Sequence, residues 1–259
     1  MAEDPHTKRK KRPLPQWMIA LNDKQRGHKS TTCTDSDNSD ISSSASIQNR
    51  QVSAADIISE SMPLLKFEGS ITYSYNPSDC ACICLDILSR LDKDVPTVIG
   101  FDMEWPVTFN SATSMNSSKT AVIQMCLSEK ECFLFHVSCM PSLPKPLQSL
   151  ILNRGVILVG VNIEADLWKL ERDFDIRVKP AIDGGTVVDL GKLANSKLKS
   201  SERWSLDGLC RNVLGKRLDK DRDLRCGNWT EYPLSKEQQI YACLDAFAGL
   251  ELYNCLQLK

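Results

Sequence analysis

The sequence predicts an α/β protein with a mixed central sheet, three antiparallel strands plus two further strands, flanked by helices. Strand-length apolar runs alternate with segments of helical periodicity from about Pro63 onward. Two candidate strands are separated by a short polar segment of hairpin length, which predicts antiparallel pairing. The composition, with 42% hydrophobic and 25% charged residues, is that of a globular chain that can build a core.

The first half of this region supplies the antiparallel part of the sheet. Apolar and polar residues alternate from Ser70 to Tyr75, whereas residues 77–92 carry apolar side chains at helical spacing. Only Ser128-Glu-Lys130 separates two later runs, which therefore form a hairpin and, with the strand before them, a three-strand meander. The predicted strands are Ser70–Tyr75, Thr97–Met103, Thr120–Leu127 and Glu131–Val137.

The second half alternates helices with the two further strands. The predicted strands are Val156–Val161 and Thr186–Asp189, and the predicted helices span residues 145–153, 163–173, 205–215 and 235–258. Ser205 is a suitable N-cap, and Gly215 is suited to the position beyond the end of the same helix. Three antiparallel strands followed by alternating helix and strand predict helices on the faces of a mixed sheet.

We predict a disordered tail over residues 1–62 and a folded domain over residues 63–259. Residues 1–30 carry eight Lys or Arg against three acidic residues, and the positive charge is concentrated in Lys8–Arg12. Such a run is typical of a nuclear-localisation or nucleic-acid-contacting segment, the alternative being a merely solvated charge run. Residues 30–55 are rich in Ser, Thr, Asp and Asn and have little to bury, which predicts disorder. We therefore expect a nuclear protein.

The sequence lacks the features of several protein classes. No apolar run approaches the roughly 18 residues of a membrane span, and no secretory signal follows the charged N-terminus. Gly191-Lys192 and Gly215-Lys216 lack the rest of the phosphate-binding loop of ATPases. We expect a soluble intracellular protein that neither inserts into a membrane nor uses ATP.

The eleven cysteines are expected to be free thiols, because their number is odd, the chain is long and export is not expected. Two groups have the composition of zinc sites, namely Cys80, Cys82 and Cys84, and Cys132, His136 and Cys139. Neither has the paired C-x2-C spacing of a zinc knuckle, so buried thiols are the better interpretation.

The first candidate group for chemistry is the acidic pair Asp102 and Glu104, which follows the apolar run Val98–Phe101. Residues i and i+2 of a strand point to one face, so the two carboxylates project together from an apolar strand. Buried carboxylates need partners, and oxygen-only ligands suit Mg²⁺ or Mn²⁺ better than zinc. The pair therefore indicates a divalent metal site.

Two further groups lie on helices. Asp166 follows Asn162 by four residues at a strand–helix junction, where on its own it would be interpreted first as a helix-capping acid. Tyr241 and Asp245 are spaced i, i+4 in the last helix and share one face, which on its own is a common surface arrangement. Taken with the acidic pair, four carboxylates and a phenol occupy positions that could converge at one end of the sheet.

This set resembles the three exonuclease motifs of the DnaQ-like family, with the tyrosine variant of the third motif. The motifs here are Asp102-x-Glu104, Asn162-x3-Asp166 and Tyr241-x3-Asp245. The surrounding sequence resembles the Werner-type exonuclease domains of that family over essentially all of residues 63–259. The matching segments include Phe101–Pro106, Ala121–Gln124, Phe135–Ser138, Gly160–Glu164, Trp168–Leu170, Arg172–Ile176, Trp204–Leu206 and Asn228–Trp229.

The resemblance implies an RNase H-like fold and metal-dependent removal of nucleotides from DNA 3′ ends, in single strands and in duplexes with recessed 3′ ends. It implies two Mg²⁺ ions, for which Mn²⁺ could substitute. By carry-over, Asp102, Glu104 and Asp245 hold the first ion, whereas Asp102 and Asp166 hold the second. Two such ions stabilise the attacking and leaving oxygens of an in-line displacement. Tyr241 would orient the nucleophilic water, because a phenol with an unperturbed pKa near 10 is a poor base.

Five further residues are candidates for substrate binding. Met103 and Trp105 flank the acidic pair, so their side chains or backbone could meet the terminal nucleotide. Base stacking is the usual role of an aromatic residue at a single-strand end, with core packing the alternative for Trp105. Trp168 could line the same cleft or pack between helices. Arg225 is the basic residue of its charged loop that is best placed for a phosphate contact. Asn162 begins the second motif and completes the set.

Two other functions stay open. An RNase D-type RNA 3′ exonuclease uses the same tyrosine-bearing motifs, and discrimination of the 2′-hydroxyl cannot be read from these residues. A non-catalytic module that binds DNA ends is the second alternative, although all four carboxylates and the tyrosine are present. The Werner-type resemblance favours a DNA exonuclease of replication and repair, either stand-alone or part of a longer product, whose tail could contact replication or repair proteins.

Overall fold

The computed structural model describes residues 61–106, 118–219 and 221–259. The predicted basic run Lys8–Arg12 and the predicted disorder over residues 30–55 lie outside the described residues. The chain divides into two units, Met1–Arg50 and Gln51–Lys259, and every described residue belongs to the second. The domain boundary at residues 62 and 63 therefore stays a prediction.

The described residues contain six strands that form one mixed sheet. They are β1 (Ser70–Ser74), β2 (Thr97–Glu104), β3 (Val122–Ser128), β4 (Glu131–Phe135), β5 (Val156–Gly160) and β6 (Val187–Asp189). The spatial order is β1-β4-β3-β2-β5-β6. β2, β3 and β4 form an antiparallel meander, β1 joins β4 in parallel, and β5 and β6 extend the sheet from β2 in parallel.

The α/β class and the three-strand meander predicted from the sequence are confirmed. The described sheet has six strands, one more than the predicted sheet of five, because the predicted strand that begins at Ser70 also joins it. β1 adds to the edge, with Ser70 opposite Glu131 and Ser74 opposite Phe135. The alternation in Ser70–Ser74 predicted a strand but carried no information about its partner. A helix and two strands separate β1 from β4 along the chain, so their pairing is decided by tertiary packing.

Helices cover both faces of the sheet. In the described residues they are α1 (Pro77–Arg90), α2 (Lys145–Ile151), α3 (Ile163–Phe174), α4 (Lys179–Asp183), α5 (Leu190–Leu198), α6 (Leu206–Leu209), α7 (Arg222–Arg225) and α8 (Lys236–Gln257). A π-helical turn, Cys210–Leu214, continues α6 as far as Gly215. The sequence did not predict α4 or α7, which have under two turns and so show no helical period. It also missed α5, which follows β6 without a linker. None of these described helices is long and apolar enough to cross a membrane.

The start of α8 is defined by a capping box. The Ser235 hydroxyl accepts a hydrogen bond from the Gln238 backbone N–H at 3.1 Å, and the Gln238 side chain accepts one from the Ser235 N–H at 3.0 Å. The predicted caps of the helix over residues 205–215 are confirmed: Ser205 caps α6, and Gly215 ends the π turn with a φ of +65°. Because the capping box fixes the residue at which α8 begins, it also determines which residues of α8 face the sheet.

Alternation along β2 divides the core into two layers. Ile99, Phe101 and Met103 pack with α1, α2 and α3. Gly100 lies on the opposite face, where α8 packs across the strand. The odd-numbered positions of β2 therefore face one set of helices and the even-numbered positions face α8.

Gly100 sets how closely α8 approaches β2. A Cβ atom at this position would lie 2.0 Å from the carbonyl oxygen of Ala246, far inside van der Waals contact. Gly249 allows a similar approach to β5, because its Cβ would lie 3.3 Å from the carbonyl oxygen of Val159. Glycine on either element thus removes the side chain that would otherwise separate helix from strand.

Four residues of the two cysteine-containing groups are buried, whereas Cys82 and Cys139 are exposed. Cys80 and Cys84 are buried where α1 packs on the sheet. The His136 ring lies between two partners, with Nδ1 2.6 Å from the Tyr73 hydroxyl and Nε2 3.0 Å from the carbonyl oxygen of Trp229. Both ring nitrogens therefore already have protein partners.

Replacing Gly100 with alanine is expected to move α8 away from β2, because the added methyl group would overlap the Ala246 carbonyl. We expect the free energy of unfolding to fall by about 1–3 kcal/mol, the usual cost of overpacking, as measured by urea denaturation. Gly155→Ala is the matched control, since its Cβ would lie 3.2 Å from the Asn153 side chain and 4.0 Å from the Asp92 carbonyl oxygen, with no backbone atom inside van der Waals contact. Equal losses in the two variants would contradict the role of Gly100.

Candidate active site

Acidic side chains gather where three parallel strands end. β2, β5 and β6 run in the same direction, so their C-terminal ends share one edge of the sheet. Asp102 and Glu104 end β2, Asp166 lies in the first turn of α3 directly after β5, and Asp189 ends β6. This edge is the usual ligand-binding position of open α/β sheets.

Asp102 and Glu104 share the face of β2 that α8 covers, as their spacing predicted. Asp102 lies opposite Gln124 of β3, and Glu104 lies opposite Val122. The backbone N–H of Met103 donates a hydrogen bond to Asp102 Oδ1 at 2.9 Å. Both carboxylates are half-buried beside apolar neighbours, which makes their ionised forms costly.

α8 brings a phenol and a further carboxylate to the same place. Tyr241 and Asp245 lie one turn apart on this helix and are half-buried. The fully buried ring of Trp229 packs beside the Tyr241 ring, with the centroids 6.0 Å apart. The close approach at Gly100 therefore carries Tyr241 and Asp245 onto the end of β2.

Burial and mutual repulsion raise the pKa values of these acids. Burial raises the pKa of Asp102 to about 6, against the opposing effect of the hydrogen bond from Met103. The pKa of Glu104 is raised well above its usual value, first by burial and then by the charges of Asp102 and Asp245. The charge of Asp245 on α8 therefore acts on Glu104 of the acidic pair.

Burial and repulsion by neighbouring charges also raise the pKa values of Asp166 and Asp245. The pKa of Asp166 is raised well above its usual value by burial and then by the charges of Asp102 and Asp189. Burial, followed by the charge of Asp102, raises the pKa of Asp245 well above its usual value. Asp102 is thus the shared neighbour of the acids on β2, α3 and α8, and the sequence-predicted carboxylates are brought together.

Tyr241 and Arg225 complete the electrostatic neighbourhood. Burial, and then the charges of Asp245, Glu104 and Asp102, raise the pKa of Tyr241 above its usual value. A hydrogen bond from Tyr241 and the positive charge of Arg225 both act to lower the pKa of Asp245. Tyr241 is consequently a neutral hydrogen-bonding group at neutral pH, and Arg225 is a cation at the edge of the acidic cluster.

The donor set fits a hard divalent cation. It offers carboxylate oxygens, which Mg²⁺ and Mn²⁺ prefer, and its raised pKa values reflect negative charge that the protein compensates incompletely. The fully buried Gln124 side chain opposite Asp102 has no hydrogen-bond partner in the described part of the protein. In that part of the protein, no group of three or more Asp, Glu, His or Cys side chains has the arrangement of a metal site.

The predicted substrate-binding residues occupy different surroundings. Trp105 and Trp168 are partly buried and pack against the core layer of α1, α2 and α3. Asn162 is exposed, with a left-handed φ of +61°, and makes no side-chain cap to α3. Arg225 is exposed in α7, and its charge acts on Glu104 as well as on Asp245.

The Met103 side chain corrects the sequence interpretation. It is 3% exposed and belongs to the core layer that faces α1, α2 and α3. The alternation that directs Asp102 and Glu104 towards α8 necessarily directs Met103 to the opposite face. Only its backbone N–H, which donates to Asp102, takes part in the site.

Two residues near the site were missed from the sequence. Asp189 raises the pKa of Asp166 and also caps α5, its Oδ1 accepting from the Lys192 N–H at 3.0 Å. Its position at the end of a predicted strand was an available signal. Gln124 lies in a segment that resembles the family, and its amide in an otherwise apolar strand was the signal there.

Comparison with known proteins identifies similar sequences. A family model described as 3′-5′ exonuclease matches residues 79–259. The chain is 46% identical over 201 residues to the mouse bifunctional 3′-5′ exonuclease/ATP-dependent helicase WRN, and 35% identical over 203 residues to a 3′-5′ exonuclease of Drosophila melanogaster. Each alignment covers 77% of this chain, but 14% of the mouse protein and 56% of the fly protein. The chain thus spans only part of the length of these relatives.

Solved structures confirm the fold. The catalytic core of RRP6 from Trypanosoma brucei aligns with a TM-score of 0.57 at 18% identity, covering 76% of this chain and 49% of that one. The RNase D–GMP complex from Trypanosoma brucei aligns with a TM-score of 0.59 at 18% identity, covering 72% and 56%. At these identities the likeness concerns the fold alone, and the predicted RNase H-like fold is confirmed.

Asp102→Asn is expected to stabilise the metal-free protein at neutral pH. The folded pKa of Asp102, about 6, lies above its unfolded value, so wild-type stability falls as the pH rises from about 4 to 6 and stays low above that range. A shift of about two pKa units corresponds to roughly 2–3 kcal/mol. In EDTA at pH 8 we therefore expect a higher Tm for the variant, and a gap that shrinks as the pH is lowered to 4.

Asp183→Asn is the matched control for this titration, because the Asp183 side chain is 62% exposed. We expect its Tm to follow that of the wild type throughout the pH series. An Asp102→Asn protein that is less stable than the wild type at pH 8 in EDTA would contradict the cost of burying the ionised Asp102 carboxylate.

Proposed function

Because the chain belongs to the 3′-5′ exonuclease family, we propose that it is a metal-dependent hydrolase that removes nucleotides from DNA 3′ ends, in single strands and in duplexes with recessed 3′ ends. The observation that carries the proposal is the convergence of an acidic cluster with Tyr241 at one edge of the sheet. The cluster consists of Asp102, Glu104, Asp166 and Asp245.

The proposed ligands of one Mg²⁺ ion are Asp102, Glu104 and Asp245, and those of a second ion are Asp102 and Asp166, with Mn²⁺ as a substitute. When bound, two such ions stabilise the attacking and leaving oxygens of an in-line displacement and lower the pKa of the attacking water. The raised pKa values of the four carboxylates support this assignment. Negative charges confined in a desolvated site gain strongly from a divalent cation.

Tyr241 has the properties of a residue that orients water. Its raised pKa keeps the phenol protonated at neutral pH, so it can donate one hydrogen bond and accept another. The ring of Trp229 beside it limits where the hydroxyl can point. Tyr241 would therefore hold the nucleophilic water, while Glu104 is the nearby carboxylate able to accept a proton.

Arg225 and Trp105 are the proposed contacts to the strand. Arg225 is exposed, and its charge acts on Glu104 and Asp245, so its guanidinium can pair with a phosphate next to the carboxylates. Trp105 directly follows Glu104 and is only partly buried, which leaves part of its ring for a terminal base. Asn162 and Trp168 are secondary candidates.

We propose DNA and not RNA as the substrate because of sequence similarity. Identity to the mouse exonuclease/helicase is 46%, whereas the RRP6 and RNase D structures are 18% identical and share the fold. An RNase D-type activity on RNA is the second candidate, and it would use the same residues. We further propose that the protein acts in the nucleus in replication or repair, with the basic run Lys8–Arg12 as its import signal.

The proposal predicts a metal-dependent ladder of products from a 5′-labelled duplex with a recessed 3′ end. Asp102→Asn combined with Glu104→Gln should reduce the rate roughly a hundredfold or more, because the variant loses two proposed metal ligands. EDTA should stop the wild-type reaction. The measurement is a gel time course in Mg²⁺ and in Mn²⁺.

Asp92→Asn combined with Asp94→Asn is the matched control, since it removes an acidic pair with the same i, i+2 spacing outside the site. It should leave the ladder unchanged. A matched RNA strand tests the alternative substrate, and faster hydrolysis of RNA than of DNA would favour the RNase D-type activity. Binding of DNA without hydrolysis of either strand, in both metals, would contradict the enzyme and favour a DNA-end-binding module.

The nuclear proposal predicts that deletion of Lys8–Arg12 abolishes nuclear accumulation. The protein would be fused to two copies of a fluorescent protein, so that the fusion is too large to enter the nucleus by diffusion, and imaged in cells. Lys24→Ala combined with Arg26→Ala, which removes two basic residues of the same N-terminal region outside the run, is the control. Unchanged accumulation of the deletion variant would contradict the import role.

A further inference from the structure

Lys169 is a buried cation one turn after Asp166 on α3. The residue is 6% exposed, and its ammonium forms an ion pair with Asp173, with Nζ 2.7 Å from Oδ2. Both side chains of this pair are 7% exposed. An ammonium in such surroundings needs all its protons satisfied, because burying an unpaired charge is costly.

The ammonium makes two further contacts, both with residues more than 50 positions earlier in the sequence. Nζ donates a hydrogen bond to the carbonyl oxygen of Ser118 at 2.6 Å, shortly before β3. It also lies over the ring of Trp105, 4.9 Å from the centroid, directly after β2. A single charge thus holds the tryptophan that follows the acidic pair and the backbone that leads into the next strand.

Asp173 extends this arrangement. Its Oδ2 accepts hydrogen bonds from both the backbone N–H and the hydroxyl of Thr120, each at 2.8 Å. Asp173 is therefore anchored to the start of β3 as well as to Lys169. The ion pair connects α3, the end of β2 and the segment before β3 in one network.

Stability alone is a poor reason for such a pair. A buried ion pair generally adds little over apolar residues of similar volume, because both charges must lose their water. The chain also contains an i, i+4 pair of the same residue types, Lys179 and Asp183 on α4, whose side chains are mostly exposed. The two pairs share spacing and chemistry and differ in their surroundings, so they form a matched comparison.

We propose that Lys169, held by Asp173, is a positioning residue that fixes the Trp105 ring so that the ring stacks on the base of the 3′-terminal nucleotide. The inference rests on the proposed function and deepens it by naming the part of the substrate that this side of the site recognises. Trp105 directly follows Glu104 in the chain, and Lys169, whose ammonium lies over its ring, follows Asp166 by one turn of α3. Because every base has an aromatic face, the contact detects the presence of a base and tolerates differences in sequence.

The test measures binding, so that it does not depend on turnover. Two fluorescein-labelled DNA strands are identical except that one ends in deoxyadenosine at its 3′ end and the other ends in an abasic nucleotide. Their Kd values are measured by fluorescence anisotropy with Ca²⁺ in place of Mg²⁺, since Ca²⁺ also takes oxygen ligands. We expect the wild type to bind the base-bearing end about tenfold more tightly.

Lys169→Met combined with Asp173→Asn removes the charge pair, while the asparagine can still accept from Thr120. We expect this variant to bind the two ends with similar Kd values and to lose nothing further when Trp105→Leu is added. Lys179→Met combined with Asp183→Asn, the same changes in the exposed pair, should retain the preference for the base-bearing end. Lys169→Arg, which keeps a cation for the ring, should also retain it and serves if the neutral variant does not fold.

A neutral variant that folds and keeps the wild-type preference would overturn the proposal, and so would a wild type with no preference between the two ends. Failure of the exonuclease itself gives a different result. In that case base-dependent binding persists while neither strand is hydrolysed in Mg²⁺ or Mn²⁺, so the two proposals fail separately.

Discussion

The close packing of α8 on β2 is the constraint on which the site depends. Gly100 has no side chain, so the Ala246 carbonyl can lie where a Cβ atom would otherwise be. This contact brings Asp245, the residue before Ala246, next to Asp102, and Tyr241 lies one turn earlier on the same helix. The acidic pair of β2 would otherwise face an apolar helix at ordinary packing distance. The shape of the core and the electrostatics of the site therefore have one common origin.

The crowded carboxylates show that this part of the protein is organised at the expense of its own stability. Burial and mutual repulsion raise the pKa values of the acids on β2, α3 and α8. The favourable energy comes from elsewhere, from the two apolar layers on either face of the sheet and from caps such as Ser235. Strain that persists at one edge of an otherwise well-packed fold is characteristic of functional sites.

Local patterns in the sequence predicted the meander, the long helices and the grouping of Asp102 and Glu104, because strand alternation and helical periodicity depend on near neighbours. They failed where distant segments decide. The parallel partner of β1 was not predicted, and the network of Lys169 and Asp173 joins residues that are about fifty positions apart. The Met103 side chain was considered a candidate for substrate binding, although the same alternation rule places it in the core. The family resemblance suggested which acids belong together, and the structure showed Asp189 as an additional neighbour of Asp166.

The capping box of α8 has a consequence for how this architecture can diversify. Since Ser235 fixes the first turn, Tyr241 and Asp245 are located by counting along the helix from the cap. One residue inserted after Ser235 would turn both side chains by about 100° away from the strand ends. Residues added between α7 and Ser235 would leave that count unchanged. The length of the segment between α7 and Ser235 can thus vary without altering the spacing of Tyr241 and Asp245 from the cap.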